Sequence, residues 1–292
     1  MKKLTYYIVD VFAEQKYQGN QLAVFFATEN LSTEEMQKIA NEMHFSETTF
    51  ILSKDKQNNG YDVRIFTPES EIPFAGHPTI GTSYVINEAI EKGESDNLLL
   101  NLGIGQIAVQ IDRRRELIWM TQKSPTFGQT FDHTVIAEIL SIKPDDINLD
   151  FPIEHVSTGL PAIIVPLNNL KALKQCSINH EKFKAFLENY SSLNILVFCN
   201  QTYETGNDLS VRVFVDETGF PEDPATGSAN GNLAGYLLQH SYLRQSSLDI
   251  RIEQGYEIGR PSLLYMLANK TGHAFSIQIG GKVFPVAKGE WL

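Results

Sequence analysis

Residues 6–11, 21–26, 48–52 and 61–66 are short apolar or alternating runs rich in β-branched and aromatic side chains. Polar or glycine-bearing stretches bound them, so each predicts a strand. The period changes over residues 32–43. There Met36, Ile39, Ala40 and Met43 recur at helical spacing, and Ser32 and Glu35 stand at the spacing of a capping box, which predicts a helix. Near the end of the chain, residues 275–291 alternate around Gly280-Gly281 and predict a hairpin. Strands and helices are mixed without strict βαβ alternation, so the expected class is α+β.

The chain also repeats itself. Residues 63–73 can be laid over residues 211–221 without a gap, at an offset of 148 residues from Arg64 to Arg212. Val, Arg, Phe, Glu and Pro recur. A turn-rich segment and then an apolar, helix-like run follow each copy: Ala75-Gly76-His77-Pro78-Thr79 in the first half, Asp223-Pro224-Ala225-Thr226-Gly227-Ser228 in the second. A shared strand–turn–helix order in both halves predicts two similar lobes. The turn-rich stretch Ser124-Pro125-Thr126-Phe127-Gly128 places their boundary near residue 125. The expected lobes are residues 1–125, to which the segment 280–292 could return, and residues 126–279.

Composition narrows the chemistry. The chain has 292 residues, 42% of them hydrophobic and 20% charged, as in an ordinary globular protein. The net charge of −11 removes the counterion-release term that drives nucleic-acid binding. The one basic run, Arg113-Arg114-Arg115, lies between Asp112 and Glu116 and reads as a solvated turn. No apolar stretch is long enough to span a bilayer, and the opening Met1-Lys2-Lys3-Leu4 runs into a strand without a signal-peptide core. Two cysteines, Cys176 and Cys199, cannot staple a chain of this size, and a reducing, cytoplasmic location is expected. The seven histidines show no metal-ligand spacing, and no nucleotide-binding glycine motif or serine-nucleophile elbow occurs, so neither a metal nor a redox cofactor is expected.

Three places carry candidate chemistry. Glu47 follows the helical stripe and opens an apolar strand. A carboxyl carried into such surroundings is suited to proton transfer near neutrality, although the same pattern fits a helix-end carboxylate in water. His77 lies in Gly76-His77-Pro78-Thr79, where Pro favours a helix start and the first N–H groups form a site for an anion; a capping or packing histidine would look the same. Asp223 precedes a second helix start, with Ser228 able to donate to an anion, and a simple N-cap is the alternative reading.

At these residues the sequence resembles the phenazine-biosynthesis PhzF-like proteins. The resemblance runs through Asp10-Val11-Phe12, Gly19-Asn20, Phe45-Ser46-Glu47-Thr48, Arg64-Ile65-Phe66-Thr67-Pro68 and Pro73-Phe74-Ala75-Gly76-His77-Pro78-Thr79. It continues in Ser157-Thr158-Gly159, Glu222 to Ala229, and Glu253-Gln254-Gly255 with Gly259-Arg260-Pro261-Ser262. It implies the diaminopimelate epimerase-like fold, with two α/β lobes, each a curved sheet around a central helix, and a site between them. It further implies a homodimer and an isomerase without cofactor. By motif match Glu47 would be the acid and base, with His77 and Asp223 assisting. Gly76, Ser228, Asn20, Thr226 and Gly227 would contact a small anionic, carboxylate-bearing metabolite. Related racemases use a cysteine at each helix start, and the ungapped overlay sets those places at or beside Ala75 and Asp223, where no cysteine stands. Two other functions suit the same residues: a two-base epimerase using Glu47 and Asp223, and a carboxylate-binding protein without catalysis.

Overall fold

Ser32 terminates α1 (Thr33–Met43) as its spacing predicts. Its hydroxyl accepts from the backbone N–H of Glu35, and the Glu35 carboxylate accepts from the N–H of Ser32. The stripe of this helix, Met36, Ile39 and Ala40, is buried against Ala23, Phe25, Phe50 and Phe66. Those rings stack: Phe25 and Phe50 lie with centroids 5.4 Å apart, and Phe66 meets Phe50 edge-on at 5.4 Å. Each such ring contributes about 1.5–3 kcal/mol by leaving water. The computed structural model describes residues 3–188, 194–215 and 221–292. The chain divides into two units, residues 1–121 with 280–292, and residues 122–279.

In the first unit, β1 (Leu4–Val11) pairs antiparallel with β2 (Asn20–Phe26) and with the last strand of the chain. The crossover through α1 lets β2 run parallel to β3 (Glu47–Ile51). Next comes β4 (Tyr61–Phe66), antiparallel to β3, carrying the two-residue β5 (Glu71–Ile72). A second crossover, α2 (Gly76–Ala89), makes β6 (Asn97–Leu102) parallel to β4. A meander through β7 (Gly105–Asp112) and β8 (Leu117–Thr121) completes the unit. Helix α2 is buried on all sides from Gly76 to Ser83. It can lie that close because a Cβ at Gly81 would come within 2.7 Å of Leu22 and Val11 side chains. The basic run of residues 113–115 is an exposed turn between β7 and β8.

The second unit repeats this order. After β9 (Thr126–Thr130) and α3 (His133–Ile139), β10 (Glu154–Ser157) pairs with β9 and with β11 (Pro161–Pro166). Helices α4 (Leu170–Gln175) and α5 (His180–Leu187) precede β12 (Asn194–Cys199), parallel to β11. Then β13 (Leu209–Phe214) pairs antiparallel with β12 and with the short β14 (Glu222–Asp223). The buried helix α6 (Gly227–Gln239) leads to β15 (Ser247–Gln254), parallel to β13, and β16 (Ser262–Thr271) returns along β15. Thus β2-β3-β4-β5-α2-β6-β7 and β11-β12-β13-β14-α6-β15-β16 share one pattern of parallel and antiparallel pairings. On the face away from α6, Ile136, Ile163, Val165, Phe183 and Val197 form an apolar core under α3, α4 and α5.

Two expectations need correction. The ungapped overlay places Asp223 on Ala75. The pairings set Phe66 opposite Glu71 and Phe214 opposite Glu222, so Glu222 is the counterpart of Glu71 and Asp223 that of Ile72. The helix N-caps agree: Ala75 and Thr226 are counterparts. The connection between β13 and β14 is longer than that between β4 and β5, so the offset grows after the strand. The part of the overlay at residues 216–220 lies outside the described residues. The second correction concerns the hairpin. Only Lys282 separates β17 (Ala274–Gly281) from β18 (Val283–Trp291), too little to reverse the chain, and β18 forms its ladder with β1. Gly280 and Gly281 are there for close approach, since a Cβ would strike Trp119 at 2.5 Å and Phe12 at 2.3 Å.

Candidate active site

The sequence candidates fall into one group in each unit. In the first unit, Asn20 opens β2 and Glu47 opens β3, while His77 lies in the first turn of α2. The parallel register sets Glu47 opposite Leu22, two residues beyond Asn20. Asn20 Nδ2 stands 3.1 Å from His77 Nδ1, and His77 Nε2 stands 3.3 Å from Glu47 Oε2. The last pair is within ion-pair distance but off the line a hydrogen bond requires. Catalytic contacts commonly tighten only when substrate is bound. His77 is 3% exposed, and Glu47 keeps 14% of its side-chain surface. Gly76 supplies the first helical N–H beside His77.

Burial pushes the His77 pKa down to about 3, against a smaller opposing effect of a backbone hydrogen bond at Gln21. The ring is therefore neutral at physiological pH, with one donor and one acceptor nitrogen, and it lies between the Asn20 amide and the Glu47 carboxyl. This has a consequence for stability. Between pH 3 and 6.5 the unfolded chain binds a proton here that the folded chain does not, so the contribution is fully present above pH 6.5 and is lost as the pH falls toward 3. The urea midpoint is expected to drop as the pH is lowered from 6.5 to 4.5, with His77 supplying up to about 1.4 kcal/mol per pH unit. His77→Gln should flatten that slope; an equal slope in wild type and variant would show that other groups set it.

In the second unit, Asp223 ends β14, Thr226 is the N-cap of α6, and Gly227 and Ser228 form its first turn. Asp223 is not the cap: its Oδ2 accepts from the Thr226 hydroxyl at 2.5 Å. Thr226 makes no side-chain cap bond to the helix. Its backbone N–H is taken by Gln254 Oε1 at 3.2 Å. By the helix-start register, Gly76 and Gly227 are counterparts, and so are His77 and Ser228. Ser228 is buried. Sequence reasoning gave no role to Gln254, although Glu253-Gln254-Gly255 belongs to the family-like motifs. The available signal was a polar residue at the end of a buried strand, where the first unit has Leu102.

The cysteines offer no alternative chemistry. Cys176 and Cys199 are both free and buried, and burial pushes their thiols up to about 12 and about 11. The N-cap positions, Ala75 and Thr226, carry none, so racemisation by paired thiols at the helix starts is unavailable. Among the described residues no group of His, Cys, Asp and Glu is arranged to hold a metal ion. No helix among them is long and apolar enough to cross a membrane.

A unit built twice, each copy enclosing a helix whose start lies beside an acidic side chain, is the diaminopimelate epimerase-like fold. A hydroxyproline epimerase from Agrobacterium vitis shares the fold, with a TM-score of 0.62 over 99% of this chain and 92% of that one, at 10% identity. The phenazine biosynthesis-like protein profile, PhzC-PhzF, matches residues 9–289, and the chain belongs to that family. The trans-2,3-dihydro-3-hydroxyanthranilate isomerase of Pseudomonas aeruginosa is 34% identical over 97% of this chain and 98% of its own length. A PhzF-family phenazine biosynthesis protein from Bacillus anthracis superposes with a TM-score of 0.90 at 28% identity, covering 100% of both chains. The protein is an isomerase of this family.

Proposed function

We propose that this isomerase moves a proton between two carbons of a small carboxylate-bearing metabolite, without a cofactor, and that Glu47 is the acid and base. The observation that supports this most directly is the contact of Glu47 with a neutral histidine, itself held by Asn20, at the start of a buried helix. A neutral imidazole can hold or orient the carboxyl in either protonation state without adding a charge. In the reaction, the Glu47 carboxylate takes a proton from carbon, the electron pair moves into the adjoining unsaturated system, and the new carboxylic acid returns the proton to a second carbon. Nothing is oxidised or reduced overall. The first-turn N–H groups at Gly76 and at Gly227-Ser228 suit an anionic group, because helix starts carry unpaired donors and positive potential. By the family resemblance Asp223 would assist the reaction, and Thr226 and Ser228 would contact the substrate.

The test is incubation in deuterated water with small unsaturated amino and hydroxy acids, trans-2,3-dihydro-3-hydroxyanthranilate among them, followed by mass spectrometry. Up to one deuterium in the product, on the face from which the proton left, is the expected result, the label entering when the Glu47 carboxyl exchanges its proton with solvent before returning it. Delivery to the opposite face would favour a two-base epimerase in which Glu47 and Asp223 work in turn. Binding without uptake or product by any compound would favour a carboxylate-binding protein. The two free, buried cysteines support a cytoplasmic location, and the family resemblance supports a homodimer. Sedimentation should then give twice the 32.8 kDa chain mass; a species at the single mass would remove the dimer from this reading.

A further inference from the structure

We propose that Gln254 is a positioning residue for Asp223, acting through the hydroxyl of Thr226. Gln254 is 1% exposed and stands at the end of β15. Its Nε2 donates to the Asp223 carbonyl at 2.9 Å and to Thr226 Oγ1 at 3.0 Å. Its Oε1 accepts from the Thr226 N–H at 3.2 Å and from Asn230 Nδ2 at 3.0 Å. Two of these partners fix which end of the amide is which. A backbone N–H can only donate and a backbone carbonyl can only accept, so oxygen must face Thr226 N and nitrogen must face Asp223 O.

That orientation bears on the next hydrogen bond. The Thr226 hydroxyl accepts from Gln254 through one lone pair and donates its single proton to Asp223 Oδ2, 2.5 Å away. Of its two acceptor sites Gln254 occupies one, which disfavours the alternative in which the hydroxyl accepts from a protonated carboxyl. As a donor it favours the ionised carboxylate and holds one of its oxygens. The amide also joins β14, the helix start and Asn230 one turn into α6, so Asp223 is set against the helix.

The duplicated unit supplies a control within the chain. The parallel pairings set Asn101 opposite Asp62 and Glu253 opposite Ser210, so Gln254 is the counterpart of Leu102. The first-unit helix has no acid before its N-cap at this place: the counterpart of Asp223 is Ile72, and that of Thr226 is Ala75. An apolar residue suffices at Leu102, which is 8% exposed. The buried amide occurs only in the copy that has a carboxylate and a hydroxyl to align, and a buried amide is costly unless every one of its groups is used.

The inference rests on the reading of Asp223 as part of the reaction machinery, and the experiment separates the two. The first readout needs no substrate: carbon-13 NMR titration of the aspartate carboxyls, with Asp223→Asn to assign the resonance. In Gln254→Leu, which copies the first unit, the Asp223 titration is expected to move to higher pH. Thr226→Val should do the same and Thr226→Ser should restore it. The second readout is turnover of trans-2,3-dihydro-3-hydroxyanthranilate, or of the compound that proves active. Gln254→Leu should lower kcat about 10- to 100-fold with KM within about threefold, and the acid limb of the pH profile should move with the NMR titration. A role in folding alone would lower the melting temperature and leave the titration in place. If Gln254→Leu does not fold, Thr226→Val breaks the same link and decides. An unchanged Asp223 titration in the folded variants overturns the inference. A shifted titration together with full activity in Asp223→Asn keeps the hydrogen-bond chain and overturns the role of Asp223.

Discussion

Glu47→Gln is expected to abolish proton transfer, lowering kcat by about 10³-fold or more, with KM within about threefold. The substitution keeps the shape of the side chain and its place at the start of β3, opposite Leu22. It also leaves an amide oxygen or nitrogen for His77 to meet, so Asn20, His77 and the helix start should stay as they are. What it removes is the group that can carry a proton. A loss of 10³ corresponds to about 4 kcal/mol of transition-state stabilisation, within reach of a single acid–base group. The deuterium experiment gives the sharper answer. Wild type should exchange or isomerise a substrate that the variant leaves unlabelled over the same time. A loss smaller than about tenfold would move the base elsewhere, with Asp223 the next candidate, and Asp223→Asn would then show the larger effect.

The second large effect concerns stability and uses the duplication as its own control. Arg212 and Glu222 form a bidentate pair, with Nε and Nη2 donating at 3.0 Å and 2.7 Å, and their side chains are only 7% and 5% exposed. Arg212 Nη1 also donates to the carbonyls of Leu173 and Cys176 at the end of α4. Arg64 and Glu71, the counterparts in the first unit, pair as closely, at 2.7 Å and 2.6 Å, but with side chains 26% and 39% exposed. The two carboxylate pairs have equal geometry, so their difference lies in burial and in the helix-end carbonyls that Arg212 also serves. Arg212→Met strands the Glu222 carboxylate and two helix-end carbonyls away from water and should cost about 3–5 kcal/mol. Arg64→Met, whose partner keeps contact with water, should cost about 1 kcal/mol or less. Urea unfolding of the two variants measures the difference. Adding Glu222→Met to Arg212→Met should recover much of the loss, because the stranded charge is gone. Equal costs for the two arginines would show that burial of the pair is not what sets its energy.

Much of the first unit was legible in the sequence, because local signals specify local structure. The capping box at Ser32 and the stripe through Met36, Ile39 and Ala40 placed α1 to within a residue. Alternation and β-branching placed β1 to β4 to within two residues at each end. The duplication showed as a repeated strand motif, and the structure carries it through the pairings of both units. The errors were of another kind. Gly280-Gly281 looks the same in sequence whether it bends the chain or admits Trp119 and Phe12 against the backbone, and only the neighbours distinguish the two. The ungapped overlay failed after β4 and β13, because nothing in the sequence reveals that one short connection outgrew the other.

Of the candidate site, the residue types and the two helix starts were readable from Glu47, His77 and the Asp223 to Ser228 stretch. The contacts were not. Asn20, Glu47 and His77 meet because a parallel crossover sets β3 beside β2 and a second crossover brings α2 beneath them, which is a matter of pairing register over many residues. Asp223 could be read as an N-cap from its spacing, yet its carboxylate takes the Thr226 hydroxyl while Gln254, from a strand beyond the helix, takes the Thr226 N–H. By itself the sequence determined which elements form, that the unit occurs twice, and which side chains are chemically able to move a proton. The tertiary structure decided which of them touch, which lose their water and which way each hydrogen bond points, because those properties depend on neighbours that the chain supplies from far along its length.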